Sequence, residues 1–368
     1  MHIRKAVKDL KPYKPGRPLR DLEAYGLSSG VKLGSNENPL GPAPEVVEAI
    51  AKACKEVRLY PEPGAPLLRE ALAKRYQRPL DTIITGAGID DLLDLTLRSM
   101  LEPGDNIVMA KPGFVRYAVA TQNAGGECRE ISGTAQEPYR HNLAAMLEAI
   151  DERTRAVVVV NPNNPTGAMV TRSEWESFWK QVPPSVLTIL DEAYYEFVDD
   201  DQYPDGLDYL DDGRPLLVFR TFSKCHSLAG LRVGYGMGPA SLIDYLDRAR
   251  LPFSVNHVAA CAAVAALESS DHVARTRALT HHEVPFLAKA LSERGWEVHP
   301  SWANFVFART PLPGTPLAQA LLRRGFILRP LTGFGLTDDF FRVSHGTREQ
   351  NEEFLRALDA VSAELPVS

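Results

Sequence analysis

Apolar residues follow two different spacings along the chain. At 46–57 and again at 89–101 they recur every three or four positions, which predicts amphipathic helices. Between such segments lie short, continuous apolar runs of the kind found in strands that are buried on both faces. These runs are NIVMA at 106–110, AVVVV at 156–160, VLTIL at 186–190 and PLLVF at 215–219. The alternation predicts an α/β fold in which helices cover both faces of a mostly parallel sheet.

The same pattern divides the chain into three parts. The first 44 residues are rich in Pro, Gly and Lys and are typical of an extended N-terminal arm. Residues 45–250 carry the alternation of strands and helices and form the predicted large domain. Residues 251–368 begin with long helical patterns, continue with the strand-like segments EVHPSWANFVFAR and GFILRP, and close on a helix near 348–363. We predict a smaller α+β domain there.

Composition and charge exclude several classes of protein. The 368 residues carry a formal net charge of −6 with no conspicuously basic face, which argues against a nucleic-acid partner. The N-terminal sequence lacks the apolar core of a signal peptide, and no apolar run reaches the roughly 18 residues of a membrane span. The four cysteines are scattered without metal-ligand spacing, so we expect reduced thiols, a cytoplasmic location and no metal site.

Polar motifs follow three of the predicted strands directly. NPNNPTG follows 156–160, DEAYYEF follows 186–190, and RTFSKCHSLAGLRVGY follows 215–219. Each motif alone has an ordinary structural explanation: a turn, a helix cap and a surface lysine, respectively. The carboxyl ends of parallel strands meet at one edge of the sheet, however, so the motifs should converge there. Together they supply an amide, acids, hydroxyls and two cations, the groups that a phosphorylated pyridine aldehyde requires.

These and further motifs give the chain a family resemblance over nearly its whole length. SNENPLGP, RLYPEPG, TGAGIDDLLDL, NPNNPTG, DEAYYEF, TFSK with LAGLRVGY, ANFVF, GFILRP and FRVSHGTREQNEEFL occur in this order. In residue sequence and in order these motifs resemble those of the pyridoxal 5'-phosphate-dependent aminotransferases of fold type I, class II, and most closely those of the histidinol-phosphate aminotransferases. The resemblance implies a seven-stranded sheet of mostly parallel strands, a smaller second domain and a homodimer with shared active sites.

The resemblance also implies a role for each residue around the cofactor. Lys224 would bond to the cofactor aldehyde, and Asp191 would pair with the ring nitrogen and keep it protonated. Asn164 and Tyr194 would hydrogen-bond the phenolic oxygen, and Phe114 would stack on the ring. Lys224, Asp191 and Tyr194 are therefore the implied catalytic residues.

The cofactor phosphate would be held by side chains and by the N-terminus of a helix. The implied residues are Thr221, Ser223, Arg232, Gly88, Ile89 and Asp90, together with Tyr60 from the neighbouring subunit. Ile89 stands where relatives often carry a hydroxyl group, so backbone amides would carry more of the binding.

Substrate recognition would involve Tyr13, Asn36, Arg329 and Arg342. Arg342 matches the arginine that binds the α-carboxylate of amino acids in this family, a role suited to a planar, bidentate group. For Arg329 the alternative is an ordinary surface or interface arginine.

Glu37 is either a substrate contact or a structural cap. His226 departs from the aromatic or small residue that relatives carry there, and either modulates the site or fills space.

The implied reaction is reversible transamination between a small-molecule amino donor and a 2-oxo acid. The first expectation is histidinol phosphate with 2-oxoglutarate, giving imidazole acetol phosphate and glutamate in histidine biosynthesis. An aromatic amino-acid aminotransferase is the nearest alternative, because phosphate and carboxylate can use the same arginines. A decarboxylase of a phosphorylated amino acid and a non-catalytic sensor of the cofactor are further alternatives. The sensor is disfavoured because Lys224, Asp191 and Arg232 are all present.

Overall fold

The structure is a computed structural model that describes residues 1, 3–10 and 16–365. The predicted substrate contact Tyr13 lies outside the described residues. The strands are β1 (Val31–Lys32), β2 (Ile83–Gly86), β3 (Asn106–Lys111), β4 (Glu127–Ser132), β5 (Thr154–Val160), β6 (Leu187–Asp191), β7 (Leu216–Thr221), β8 (Gly234–Met237), β9 (Glu297–His299), β10 (Phe305–Arg309), β11 (Phe326–Ile327), β12 (Arg329–Pro330) and β13 (Phe340–Ser344).

The helices alternate with these strands in the first part of the chain and dominate the later part. They are α1 (Lys5–Lys8), α2 (Pro44–Ala53), α3 (Pro66–Tyr76), α4 (Ile89–Met100), α5 (Arg116–Ala124), α6 (Leu143–Glu148), α7 (Arg172–Trp179), α8 (Ala240–Ala249), α9 (His257–Glu268), α10 (Ser270–Ser292), α11 (Gly314–Leu322) and α12 (Arg348–Ser362). Within the residues described above, none of these helices has the length and apolarity needed to cross a bilayer.

The large sheet has seven strands in the order β2-β8-β7-β6-β5-β3-β4. All neighbouring strands are parallel except β8, which runs antiparallel to both β2 and β7. The prediction of a mostly parallel seven-stranded sheet is confirmed, and the four predicted strands correspond to β3, β5, β6 and β7.

Three strands of this sheet were not predicted, for two physical reasons. The edge strand β4 has the mixed polar sequence ECREIS and buries none of its residues fully, so it lacks a strong apolar pattern. Strands β2 and β8 are only four residues long, and β8 contains Gly234 and Gly236. Glycine normally weakens a strand, but a Cβ at Gly236 would lie 3.0 Å from the ring of Phe219, so the close strand approach requires it.

Two apolar cores cover the two faces of the large sheet. Because successive strand residues point to opposite faces, Val157 and Val159 of β5 pack in one core while Ala156 and Val158 pack in the other. The first core contains Trp175 of α7 and the second contains side chains of α4 and α8. Two-sided burial explains why the strand sequences are continuously apolar.

The smaller sheet is built from the later part of the chain. Its order is β12-β13-β10-β9, all pairs are antiparallel, and helices α10, α11 and α12 share its core. Leu33, from the predicted N-terminal arm, joins this core. Helix α9 instead packs in the core of the large sheet, although the predicted boundary near 250 assigns it to the smaller domain. The bounds 1–44, 45–250 and 251–368 therefore stay a prediction.

Candidate active site

A cleft lies at the carboxyl ends of β5, β6 and β7, where the small sheet faces the large one. The structure brings most of the predicted site residues to this cleft. The predicted residues that line it are Asn36, Ile89, Asp90, Phe114, Asn164, Asp191, Tyr194, Thr221, Ser223, Lys224, Arg232, Arg329 and Arg342. The motifs that follow β5, β6 and β7 thus meet as the strand-end argument predicted, and Asn36 and Arg342, which are 306 positions apart, join them.

Asp191 is the buried acid of the cleft. It ends β6 and is 2% exposed. Tyr117 donates its hydroxyl to Oδ2 at 2.9 Å, and the backbone amide of Ala193 donates to Oδ1 at 3.1 Å. Burial raises the pKa of Asp191 to about 6 in spite of these two hydrogen bonds. A cationic partner in the cleft would restore its full ionisation.

Lys224 is an amine of the cleft whose pKa is lowered. It follows β7 in the turn formed by residues 222–228, and its Nζ donates to the backbone oxygen of Ser35 at 3.2 Å. Desolvation, and after it the positive charge of Arg342, lowers the pKa of Lys224 to about 8. A substantial fraction of this amine is therefore neutral near physiological pH, as a nucleophile or base requires.

Tyr194 is fixed by a chain of hydrogen bonds that starts in the N-terminal segment. Nδ2 of Asn36 donates to the Tyr194 hydroxyl at 2.8 Å. Asn36 has a φ of 57° and is anchored by Ser344, which donates to its Oδ1, and by Asn304, which donates to its backbone oxygen. Asn36 thus supports Tyr194, and its role as a substrate contact stays a prediction.

An oxyanion cup lies at the N-terminus of α4. Gly88 precedes the helix with a φ of 83°, and a Cβ there would lie 2.5 Å from Nη2 of Arg232. Ser223 joins the cup because its Oγ accepts from Thr221 Oγ1 at 3.0 Å and from Arg232 Nη1 at 3.4 Å. Hydroxyls, a guanidinium and a helix N-terminus together favour a bound anion such as phosphate.

Asp90 introduces a negative charge next to this cup. Its carboxylate lies 3.6 Å from Nη2 of Arg232 and accepts from Nε of Arg116 at 3.3 Å. The two arginines offset the charge of the acid.

Arg342 and Arg329 form the cationic wall on the small-domain side. Arg342 is buried, and it donates to Oδ1 of Asn164 at 2.5 Å and to the backbone oxygen of Gly34 at 2.9 Å. Arg329 lies over the ring of Phe334 with 5.7 Å between its guanidinium carbon and the ring centre. Arg329 and Arg342 therefore give this wall of the cleft a strong positive charge.

Tyr60 does not reach the cleft of its own chain. It is 84% exposed and stacks on Phe253, with 5.1 Å between the ring centres. A contact with a neighbouring subunit is the only predicted role that this position allows.

The two residues of undecided role have structural partners. Glu37 accepts from Nζ of Lys32 at 2.7 Å, and its charge also acts to raise the pKa of Lys224. His226 is buried beside Phe222, and its Nε2 lies 3.3 Å from Oε1 of Glu196. Within the described part of the chain, no cluster of three or more His, Cys, Asp and Glu side chains could hold a metal ion.

Sequence reasoning missed Tyr117 and the two backbone carbonyls of Gly34 and Ser35. Burial and the nearby Asp191 hold the pKa of Tyr117 well above its usual value, so its hydroxyl stays a hydrogen-bond donor to that acid. Its signal was available, since Tyr117 lies one helical turn beyond Phe114 in KPGFVRY. The carbonyls carry no side-chain signal and depend on long-range packing.

The arrangement supplies a buried acid, an amine of lowered pKa, an aromatic wall, an oxyanion cup and a pair of arginines within one cleft. This fold and this set of groups are those of the aminotransferases. The chain belongs to the family "Aminotransferase class I and II", whose sequence model matches residues 28–358.

The chain is also similar to individual members of this family. The histidinol-phosphate aminotransferase of Moorella thermoacetica is 42% identical, over 98% of this chain and 93% of the relative. Histidinol-phosphate aminotransferase 2 of Pseudomonas aeruginosa is 43% identical, over 97% of this chain and 96% of the relative. Among solved structures, the histidinol-phosphate aminotransferase of Sinorhizobium meliloti in complex with pyridoxal-5'-phosphate has a TM-score of 0.88 at 26% identity, with 98% of each chain covered.

Proposed function

We propose that this chain transfers the amino group of histidinol phosphate to 2-oxoglutarate and uses pyridoxal 5'-phosphate as its cofactor. The products are imidazole acetol phosphate and glutamate, which places the enzyme in histidine biosynthesis. The observation that carries the proposal is the cationic wall of Arg329 and Arg342, which lines the same cleft as Lys224 and the oxyanion cup. The names and high coverage of the relatives support the same choice of substrate.

The residues of the cleft fit the cofactor at each of its functional groups. The oxyanion cup of Gly88, Thr221, Ser223 and Arg232, with the amides of Ile89 and Asp90, suits the phosphate. The requirement for glycine at position 88, where a Cβ would meet Arg232, supports this assignment. At the other end, Asp191 would pair with the ring nitrogen, and Phe114 would pack on the ring.

Two further residues would hold the phenolic oxygen of the ring. The hydroxyl of Tyr194 is already oriented by Asn36. Oδ1 of Asn164 accepts from Arg342, so Nδ2 of the same amide is the group that would donate to the phenolic oxygen. This contact would join the cofactor to the substrate arginine through a single side chain.

When bound, the cofactor supplies an electron-poor ring that accepts the electron pair left by the cleaved Cα–H bond of the donor. Lys224 performs the proton chemistry of this chain. Its Nζ takes the proton from the donor's α carbon, and its lowered pKa makes the neutral form that can do so more populated than in an ordinary lysine. Asp191 retains a negative charge toward the ring nitrogen, and Tyr117 keeps that carboxylate oriented.

Arg342 and Arg329 position the substrate by its anionic end. The phosphate of histidinol phosphate can receive hydrogen bonds from both guanidinium groups, whereas the monoanionic carboxylate of an amino acid can be held by Arg342 alone. In the second half of the reaction the same arginines receive a carboxylate of the 2-oxo acid. Tyr13 is proposed to assist them.

The active unit is proposed to be a homodimer in the cytoplasm. Tyr60 and Phe253 form an exposed aromatic pair, which supports the proposal that Tyr60 crosses to the phosphate of the neighbouring site. All four cysteines are free thiols, as expected in a reducing compartment.

Steady-state kinetics with several amino donors tests the proposed function. The enzyme loaded with cofactor should prefer histidinol phosphate over histidinol, phenylalanine, tyrosine and aspartate at equal 2-oxoglutarate. The phosphate should contribute roughly ten- to a hundredfold in kcat/KM, because its loss leaves charged hydrogen bonds unmade. A higher kcat/KM for phenylalanine or tyrosine would favour the aromatic amino-acid alternative. If no donor is turned over, the proposed aminotransferase activity is refuted.

A further inference from the structure

Asn38 connects three segments next to the catalytic lysine. Its Nδ2 donates to the backbone oxygen of Cys225 and to Oγ1 of Thr276, each at 3.0 Å, and its Oδ1 accepts from the amide of Leu40 at 3.0 Å. The amide side chain thus uses both of its ends. It joins the N-terminal segment, the residue that follows Lys224, and helix α10.

The turn that carries Lys224 needs such an external anchor. Internally it is closed by two backbone hydrogen bonds, from Ser227 to Lys224 at 3.1 Å and from Leu228 to Phe222 at 2.9 Å. Ser227 has a φ of 62°, a conformation that is uncommon for residues other than glycine. Contacts from outside the turn must therefore help to maintain it, and Thr276 on the α10 side is buried.

The N-terminal segment holds Lys224 at two points. Ser35 accepts from Nζ at the end of the side chain, and Asn38 binds the carbonyl of the next residue in the backbone. Together these two contacts restrict the position of the Lys224 amine relative to the backbone of the turn. A misplacement of about 1 Å at a reacting group can cost on the order of a hundredfold in rate.

We propose that Asn38 is a positioning residue for Lys224. It holds the backbone of the turn in place while the amine moves between its bonded position and its role as the base that accepts the proton from the donor. This inference rests on the proposed transamination and concerns the lysine's own placement. Asn38 touches neither the substrate arginines nor the oxyanion cup in the contacts described above.

The first test removes only the donor function of Asn38. Asn38→Asp keeps the shape and loses the amide hydrogens, and Asn38→Ala serves as a second variant if the new carboxylate prevents folding. In the loaded dimer, we expect the single-turnover rate of the first half-reaction to fall about tenfold, while donor and cofactor affinities stay within about twofold. Asn351→Asp, which removes a 2.7 Å amide contact to Glu283 in the small domain, is the control and should lower stability alone.

A double-mutant cycle separates positioning from general damage. In a Lys224→Ala background with methylamine supplied as the base, Asn38→Asp should cause no further loss, because no lysine remains to be positioned. An equal loss in both backgrounds, or no loss in either, would overturn the proposal. This cycle is interpretable only if the wild-type enzyme turns over, so an inactive wild type identifies a failure of the proposed function instead.

A measurement on the cofactor-free protein tests Asn38 independently of activity. Hydrogen exchange at the amides of Ser227 and Leu228 should become faster in Asn38→Asp, since these amides close the turn. The same amides in Asn351→Asp should exchange as in wild type. Unchanged exchange in both Asn38 variants would show that Asn38 does not hold the turn.

Discussion

Arg329 and Arg342 stand directly opposite each other in the antiparallel pair of β12 and β13. Opposed residues of such a pair place their side chains on the same face of the sheet, and both arginines line the cleft. Like charges in this position repel each other, so a wall that carries both of them favours the binding of an anion. The register of these two residues supports the proposal of a substrate with a multiply charged anionic group.

Replacing Arg329 should change substrate preference selectively. Arg329→Gln should lower kcat/KM for histidinol phosphate by roughly ten- to a hundredfold and lower that for phenylalanine less, because Arg342 can still bind a monoanionic carboxylate. Parallel kinetics with both donors checks this. Arg309→Gln is the matched control and should affect neither donor, because Arg309 lies in β10 of the same sheet, is paired with Asp339 and does not line the cleft. Equal losses for both donors would contradict the assigned role of Arg329.

The lowered pKa of Lys224 predicts its reactivity in the cofactor-free protein. The neutral amine is the nucleophile, so labelling by trace acetic anhydride should rise with pH with a midpoint at about 8, rather than near the 10.5 of an ordinary lysine. Mass spectrometry of the labelled peptide measures the midpoint. An exposed lysine such as Lys289 provides the internal reference. A midpoint for Lys224 near that of the reference would show that desolvation does not act on this amine.

Asp191 should make the stability of the cofactor-free protein depend on pH. Its pKa is about 6 in the folded protein against 3.8 in the unfolded chain, so the folded state binds the proton more tightly between these values. Its contribution to the free energy of unfolding is therefore present below about pH 4 and is lost as the pH rises through 6, by on the order of 2–3 kcal/mol. Chemical denaturation of wild type and Asp191→Asn at pH 4, 5, 6 and 7 measures the difference. Parallel curves for the two proteins would disprove the shift.

The buried ion pair between Arg220 and Glu192 should be important for stability. Arg220 lies near the end of β7, Glu192 directly follows β6, and neither residue lines the cleft. Arg220 is 2% exposed, and its Nη2 lies 2.7 Å from Oε2 of Glu192. Arg220→Met should cost about 3–5 kcal/mol, because it leaves the carboxylate of Glu192 buried without its cation. Arg98→Met, which breaks an exposed pair with Asp94, should cost less than about 1 kcal/mol. Urea unfolding of both variants checks the contrast, and similar costs would argue against it.

If Tyr60 contributes to the active site of the neighbouring subunit, two inactive variants should restore activity when they form a heterodimer. Lys224→Ala and Tyr60→Phe subunits are each expected to have low activity, but a heterodimer of the two contains one site with both residues intact. Mixed refolding of differently tagged subunits should therefore regain partial activity that the separate variants lack. A mixture of Lys224→Ala and Asp191→Asn subunits is the negative control. Lys224 and Asp191 belong to the same subunit's site, so every site of that heterodimer keeps one defect. No gain, with a monomeric mass by light scattering, would contradict the shared site.

The sequence by itself determined the parallel strands and the chemistry at their ends. Continuous apolar runs report burial on both faces directly, and Asp191 and Lys224 follow such runs, so local patterns were sufficient to predict that they converge. The motifs also indicated the family, which the comparison with known proteins then showed. The short strand β8 was not predicted, because Gly236 is required by the close approach of the Phe219 ring on the neighbouring strand and glycine is not typical of strand sequences.

Only the tertiary structure decided the electrostatics and the supports of the site. The pKa values of Asp191 and Lys224 depend on desolvation and on charges such as Arg342, which is 118 positions away from Lys224 in the chain. Likewise, the pairing of Arg329 with Arg342 is a matter of strand register, and the contact of Asn38 with the turn of Lys224 joins distant segments. Such contacts arise from packing between parts of the chain that share no local pattern, and they set how strongly each group is desolvated and where it is held.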